Sequence, residues 1–326
     1  MNTGSRASAI AVEGLCKSFG EHVVLDRIDL NVAEGTIFSL LGPNGAGKTT
    51  TVQILATLLG ADGGDISVGG YELATEPAAV RSAIGVTGQF SAVDDLLTGR
   101  ENIILMGDLN HLPRRESIAL AEELLTRFDL VDAADKMASS YSGGMTRRLD
   151  LAMTLVGNPR IIFLDEPTTG LDPRSRRVVW DIVRELVSGG VTVFLTTQYL
   201  EEADQLADRI AVLHGGRIVA EGTADELKRL VPGGYIKLDF ADRNALATVA
   251  QAFGGAAQVN GDLTLAIPSD GGVRAVREVI DRLDVIGIEP EGLSVHTPDL
   301  DDVFLALTGS DQTGSASART EKESVR

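Results

Sequence analysis

Gly42-Pro43-Asn44-Gly45-Ala46-Gly47-Lys48-Thr49-Thr50 fits the pattern G-x-x-x-x-G-K-[ST], with Gly42 first, Gly47 and Lys48 closing the loop and Thr49 as the hydroxyl. Before it, Thr36 to Leu41 reads as a short apolar strand; after it, Thr51 to Leu59 has helical spacing that ends at Gly60. A strand, a glycine-rich loop and a helix in that order are the setting the pattern requires. The glycines let consecutive N–H groups turn inward around a phosphate, and the helix N-terminus adds its partial positive charge. Lys48 is then placed to reach the β- and γ-phosphates of a nucleotide, and the Thr49 hydroxyl to ligate Mg²⁺.

The rest of the chain sets bounds on what such a loop can serve. With 326 residues there is room for one large domain and a small one. An apolar share of 44% and a charged share of 23% suit a soluble globular protein, and aromatics at 4% leave a core of Ala, Val, Ile and Leu. The net charge of −18 argues against nucleic acid as the main partner. Cys16 is the single cysteine, so neither an internal disulfide nor a cysteine metal cluster is available. The four histidines lie far apart and read as ordinary surface or core side chains. No run approaches a membrane span, and Met1 to Ser8 lacks the apolar stretch of a signal peptide, so the chain is expected to stay in the cytoplasm.

Ahead of the loop, Ala9 to Leu15 and Val23 to Val32 alternate apolar and polar residues, as half-buried antiparallel strands do. Phe19 lies in the turn-like stretch between them. It is open to two readings, a core side chain or a ring that stacks on an adenine. Ile66 to Val68 and Ile84 to Thr87 look like further strands, the second ending at Gly88-Gln89. From about 100 to 158 the spacing turns helical, an all-helical insertion within an α/β domain.

Ser142-Gly143-Gly144 precedes a helix and offers free N–H groups at its start, although such a triplet also serves as a plain turn and cap. Ile161 to Leu164 is an apolar run that ends in Asp165-Glu166, a buried strand delivering two carboxylates at its C-terminal end. Ligands bind at that end of parallel sheets. Asp165 suits contact with Mg²⁺, and Glu166 is placed to deprotonate an attacking water. A helix from Arg174, a strand over 191–197 ending at Gln198, and a pairing of Ile210 to Leu213 with Arg217 to Ala220 complete the domain.

Val231-Pro232-Gly233-Gly234 is a breaker cluster that marks a boundary. The expected organisation is a disordered N-terminus at 1–8, a main domain over 9–230 and a small one over 232–308. A disordered polar tail follows over 309–326. The small domain reads β-α-β-β-α-β, a ferredoxin-like α+β unit.

Together these pieces resemble the nucleotide-binding subunit of an ATP-binding-cassette (ABC) transporter over about residues 9–230. Gly42 to Thr50 matches the family's Walker A loop, Gln89 its Q-loop and Ser142-Gly143-Gly144 its signature motif. Asp165 and Glu166 match Walker B with its catalytic Glu, Asp172 the D-loop, and Phe19 the aromatic that stacks on adenine. Within the family the chain is most similar to the daunorubicin-resistance type of exporter ATPase. The carriers of that likeness are Val86 to Gln89, Tyr141 to Met145, Thr197 to Ile210 and Leu300 to Gly309. Tyr141 and Met145 replace the Leu and Gln that usually flank Ser-Gly-Gly, and Gln198 stands where most members have a switch His.

The resemblance implies a P-loop α/β fold with an antiparallel part, and hydrolysis of Mg-ATP. ATP would lie on Gly42 to Thr50 and Phe19, and Mg²⁺ on Thr49, Gln89 and Asp165. Lys48, Gln89, Glu166 and Gln198 would serve catalysis. It also implies a second copy of the chain, whose Ser142, Gly143 and Gly144 close over the γ-phosphate, and a separate membrane permease at the cytoplasmic face of the membrane. The competing class is an ABC-type ATPase of translation or chromosome repair. Those carry two cassettes or a long coiled coil, and this sequence shows neither.

Overall fold

The computed structural model describes residues 7–88, 92–231, 233–254, 257–260, 263–269 and 272–308. Gln89, Pro232 and the 309–326 tail, all given a part above, lie outside the described residues. The chain divides into two compact units, the first ending at Ala224 and the second beginning at Asp225.

The first unit opens with β1 (Ser8–Phe19) and β2 (His22–Ala33), followed by β3 (Ile37–Leu41), α1 (Lys48–Leu55), β4 (Gly63–Val68) and β5 (Tyr71–Glu72). Then come α2 (Pro77–Ala83), β6 (Ile84–Thr87), α3 (Gly99–Leu109), α4 (Arg114–Arg127) and α5 (Gly143–Thr154). It continues with β7 (Ile161–Asp165), α6 (Pro173–Ser188), β8 (Thr192–Thr197), α7 (Leu200–Leu206), β9 (Arg209–His214) and β10 (Arg217–Gly222). A short helix, α8 (Ala224–Lys228), leads into the second unit.

Two sheets share the work. The antiparallel one runs β2-β1-β4-β5, and its apolar side chains, such as Ile10, Val12 and Leu30, pack with Val52, Ile54 and Leu55 of α1. The other runs β10-β9-β3-β8-β7-β6 and is parallel from β9 to β6. All five residues of β3 and of β7 are buried, as strands covered on both faces should be. Its other face packs against the helical region, where Phe128, Leu149, Leu151 and Val183 meet Ile162, Leu164 and Leu195.

Two local readings need correction. The helix after the loop stops at Leu55 rather than near Leu59, because Thr57 takes φ 62° and the amides of Leu58 and Leu59 both turn back to the Gln53 carbonyl. Ala7 and Ser8, expected in a loose N-terminus, are held: the Glu34 amide donates to Ala7 O at 2.9 Å, and Ser8 pairs with Ala33.

The second unit contains β11 (Tyr235–Asp239), α9 (Arg243–Phe253), β12 (Gln258–Asn260), β13 (Thr264–Pro268), α10 (Val273–Ile286), β14 (Gly292–His296) and α11 (Leu300–Thr308). Its sheet has the order β12-β13-β11-β14 with every pair antiparallel. Ile236, Leu238 and Leu265 form its core with Val249 of α9 and Leu283 of α10.

Candidate functional site

β3, β8 and β7 are neighbours in the parallel sheet, with Leu41 opposite Thr197 and Asp165 opposite Thr196. The phosphate loop, Gln198 and Glu166 therefore leave the sheet side by side at one edge, the carboxyl ends of the strands. Two backbone bonds fasten the exits together: Gly42 N donates to Thr197 O at 3.2 Å and Glu166 N to Thr196 O at 3.1 Å.

The loop needs its glycines for space. A Cβ at Gly42 would run into the Leu213 carbonyl, and one at Gly47 would meet Leu25 Cδ2 at 2.6 Å. Gly47 also has φ 109°, which turns the chain into α1 with the helix's first N–H groups free of any side-chain cap. Val24, two residues into β2, packs against the same glycine, so the β1–β2 hairpin that bears Phe19 adjoins the loop. Phe19 is 52% exposed, with the Lys17 ammonium 5.5 Å from its ring centre. That leaves its face available for stacking rather than committed to a core.

Lys48 is buried, and its ammonium donates to the carbonyls of Gly42 at 2.8 Å and Pro43 at 3.1 Å. It also lies 3.3 Å from Glu166 Oε1. Thr49 and Thr50 are half-buried beside it, and Asn44 and Gly45 are exposed at the tip. Asp165 is buried at the end of β7, where the Thr196 hydroxyl donates to its Oδ1. Glu166 has φ 49°, a left-handed backbone that a side chain adopts at a cost; such strain gathers at functional turns. Its other oxygen, Oε2, accepts the Thr169 hydroxyl at 3.2 Å.

Ser142 caps α5, its Oγ accepting from Met145 N at 3.3 Å, and Ser142 and Gly143 are exposed. Tyr141 anchors the approach to this cap by donating to the Ala133 carbonyl at 2.7 Å. Asp172 caps α6 by accepting the amides of Arg174 and Ser175, and the Ser175 hydroxyl holds its carboxyl below the usual range. Ser142, Gly144, Met145, Arg148, Asp172 and Ser175 line one cavity of about 360 Å³. No hydrogen bond or ion pair among the described residues joins this cavity's Ser142 to the phosphate loop. The motifs thus form two separate patches on one chain. Gln89 is outside the described residues.

The sequence reading missed four polar groups behind the site. Thr196 orients Asp165, and Glu202 on α7 is fully buried, accepting from Thr168 Oγ1 at 2.8 Å and Trp180 Nε1 at 3.1 Å. Arg147 and Asp150 pair inside the helical region. A charged residue on the core-facing stripe of a helix was the signal available for the last three.

Residues 25–169 match the family model described as ABC transporter. The chain is 51% identical to daunorubicin resistance ATP-binding protein DrrA3 of Streptomyces coeruleorubidus, over 94% of this chain and 97% of the relative. It is 44% identical to the daunorubicin/doxorubicin resistance ATP-binding protein DrrA of Streptomyces peucetius, over 99% of each. A Nod factor export ATP-binding protein I of Sinorhizobium fredii is 37% identical over 92% of this chain and 86% of its own length. A solved ATP-binding subunit of an ABC transporter superposes with a TM-score of 0.61 at 28% identity, covering 68% of this chain and 92% of the other. With an intact phosphate loop and two carboxylates at the adjoining strand end, the chain belongs to the ABC transporter family as one of its ATP-binding subunits, an ATPase.

Proposed function

We propose that the chain drives an exporter for drugs, lipids or similar amphipathic compounds, hydrolysing ATP on behalf of a separate membrane permease at the cytoplasmic face. The observation that carries this is the convergence of Lys48, Asp165, Glu166 and Gln198 at three adjacent strand ends, in a chain whose relatives are named for drug resistance and export. ABC exporter subunits of this kind act with membrane subunits and dimerise. None of this chain's described helices is long and apolar enough to cross a membrane, which fits a peripheral subunit.

In this reading ATP lies on Gly42 to Thr50, with adenine against Phe19, and Lys48 exchanges its carbonyl and carboxylate partners for phosphate oxygens. Thr49 and Asp165, with Gln89, hold Mg²⁺. The Asp165 carboxylate accepts one bond from Thr196 and keeps acceptor capacity to spare, and no group of three acidic, His or Cys ligands occurs among the described residues. That sparse donor set suits Mg²⁺, which takes one or two protein oxygens and fills its shell with water and phosphate. Once bound, the ion supplies charge to the phosphates. Glu166 deprotonates the attacking water and Gln198 positions it.

The separate cavity at Ser142 and Asp172 supports a head-to-tail pair in which each chain's Ser142, Gly143 and Gly144 cover the partner's ATP. Among the described residues the second unit has no buried carboxylate or cation, and it is assigned to contact rather than chemistry. Removing everything after Leu230 should spare ATP binding and weaken pairing or coupling to the permease.

Purifying the tagged chain from membranes of its own cell tests the reading. A multi-span protein that comes with it and raises its ATP turnover supports an exporter; ribosomes or DNA in its place would overturn it.

A further inference from the structure

Arg147 and Asp150 sit one turn apart on α5, the helix that Ser142 caps, with 3.2 Å between Nη1 and Oδ2. Their side chains are only 11% and 3% exposed. Arg147 reaches outward from the pair. Its Nε donates at 2.8 Å to the carbonyl of Pro167, the residue after Glu166, and its Nη1 donates at 3.3 Å to the carbonyl of Gly88. Asp150 in turn accepts the Ala92 amide at 3.2 Å. The pair therefore ties α5 to the turn that carries Glu166 and to the chain at Gly88 and Ala92.

A buried ion pair is a weak device for stability, because desolvating both charges offsets most of their attraction. A guanidinium does give fixed directions: its planar fork can hold several acceptors at set angles, which an ammonium cannot. Among the described residues Arg147 donates through Nε and Nη1. Its Nη2 is buried and meets no acceptor among the described residues.

We propose that the Arg147–Asp150 pair is a positioning device for ATP turnover, linking the Ser142 helix of a chain to that chain's own Glu166 turn. This rests on the reading above, in which Ser142 serves the partner's ATP and Glu166 the chain's own. A displacement of α5 against one nucleotide is carried through Nε to the Pro167 carbonyl, and so to the residue beside the base of the other site. The two half-sites on a chain, separate in space, become dependent on one another.

Full-length wild type, Arg147→Lys, Asp150→Asn and Glu166→Gln are compared for steady-state ATP hydrolysis, ATP binding by calorimetry and thermal unfolding. Lys keeps a cation opposite Asp150 but replaces the fork with one nitrogen. Arg147→Lys is expected to lower kcat about tenfold or more, with the ATP Kd within about twofold and the unfolding temperature near that of wild type. If that variant does not fold, Asp150→Asn puts the same question with an isosteric change. Wild-type kcat in the folded variants, whatever their unfolding temperature, overturns the proposal and assigns the pair to stability alone. Normal turnover by Glu166→Gln would remove the base and the turn this pair positions. Normal turnover by the Arg147 variant beside an inactive Glu166→Gln removes the pair alone.

Discussion

Lys48 Nζ and Glu166 Oε1 lie 3.3 Å apart, with both side chains nearly closed off from water. In the proposed function one residue is the cation for phosphate and the other the carboxylate for water, and here they satisfy each other. A phosphate that enters has to displace the carboxylate and the carbonyls of Gly42 and Pro43 from the ammonium. Binding and release of the base are thus one event.

Lys48→Ala removes a buried cation of the phosphate loop, a charged hydrogen bond worth about 1.5–3 kcal/mol. ATP should bind at least about tenfold more weakly by calorimetric titration. An unchanged Kd would falsify the assignment of Lys48 to phosphate.

Glu166→Gln keeps the shape and loses the base. Turnover should fall by about a hundredfold or more in a phosphate-release assay. Because the amide no longer competes as a charge for Lys48, ATP should bind at least as tightly as to wild type. Weaker binding would contradict the competition just described.

Gln198 follows β8 directly, two residues beyond the Thr196 that pairs with Asp165. An amide can bridge water and phosphate but cannot carry a proton near neutral pH. Gln198→Ala should cut kcat at least about tenfold, about 1.4 kcal/mol of transition-state stabilisation, with little change in affinity. Gln198→His should keep activity and add a pH dependence between about 5.5 and 7.5. Turnover by the alanine variant at the wild-type rate removes Gln198 from the site.

Burial pushes the Glu202 carboxyl above its ordinary 4.5, against hydrogen bonds from Thr197, Thr168 and Trp180 and the charge of Arg176. Arg147 also faces it electrostatically. A folded carboxyl with a raised pKa holds its proton where the unfolded chain has lost it, so its contribution to stability declines as pH rises from 4.5 through the folded value. Glu202→Gln keeps an acceptor for Thr168 and Trp180 and cannot ionise. Urea unfolding at pH 4.5 and 7.5 should show the variant gaining on wild type at the higher pH. A constant gap between the two proteins would mean that Glu202 titrates alike folded and unfolded.

The sheet and the phosphate loop were legible because each rests on local pattern. Glycines at fixed offsets, an apolar run before them and another ending in Asp-Glu name strand ends without any tertiary information. The end of α1 was not legible, since Leu58 and Leu59 continue the apolar spacing while Thr57 alone turns the backbone away. Arg147, Asp150, Thr196 and Glu202 stayed hidden for a different reason. Their meaning depends on which segments a fold brings together, here Pro167, Gly88 and Ala92 for the pair, and Trp180 for Glu202. Charged residues on a helix look solvated until the helix is packed.

Trp180 is the chain's single tryptophan, 5% exposed, and its indole N–H donates to the Glu202 carboxyl four residues beyond Gln198. Indole emission shifts with the polarity and hydrogen bonding of its ring. The protein therefore carries an intrinsic optical probe wired to the helix that begins just after Gln198. Any rearrangement of α7 against α6 during a turnover can be followed by fluorescence in the unlabelled chain, on the millisecond scale and without altering one atom of the site.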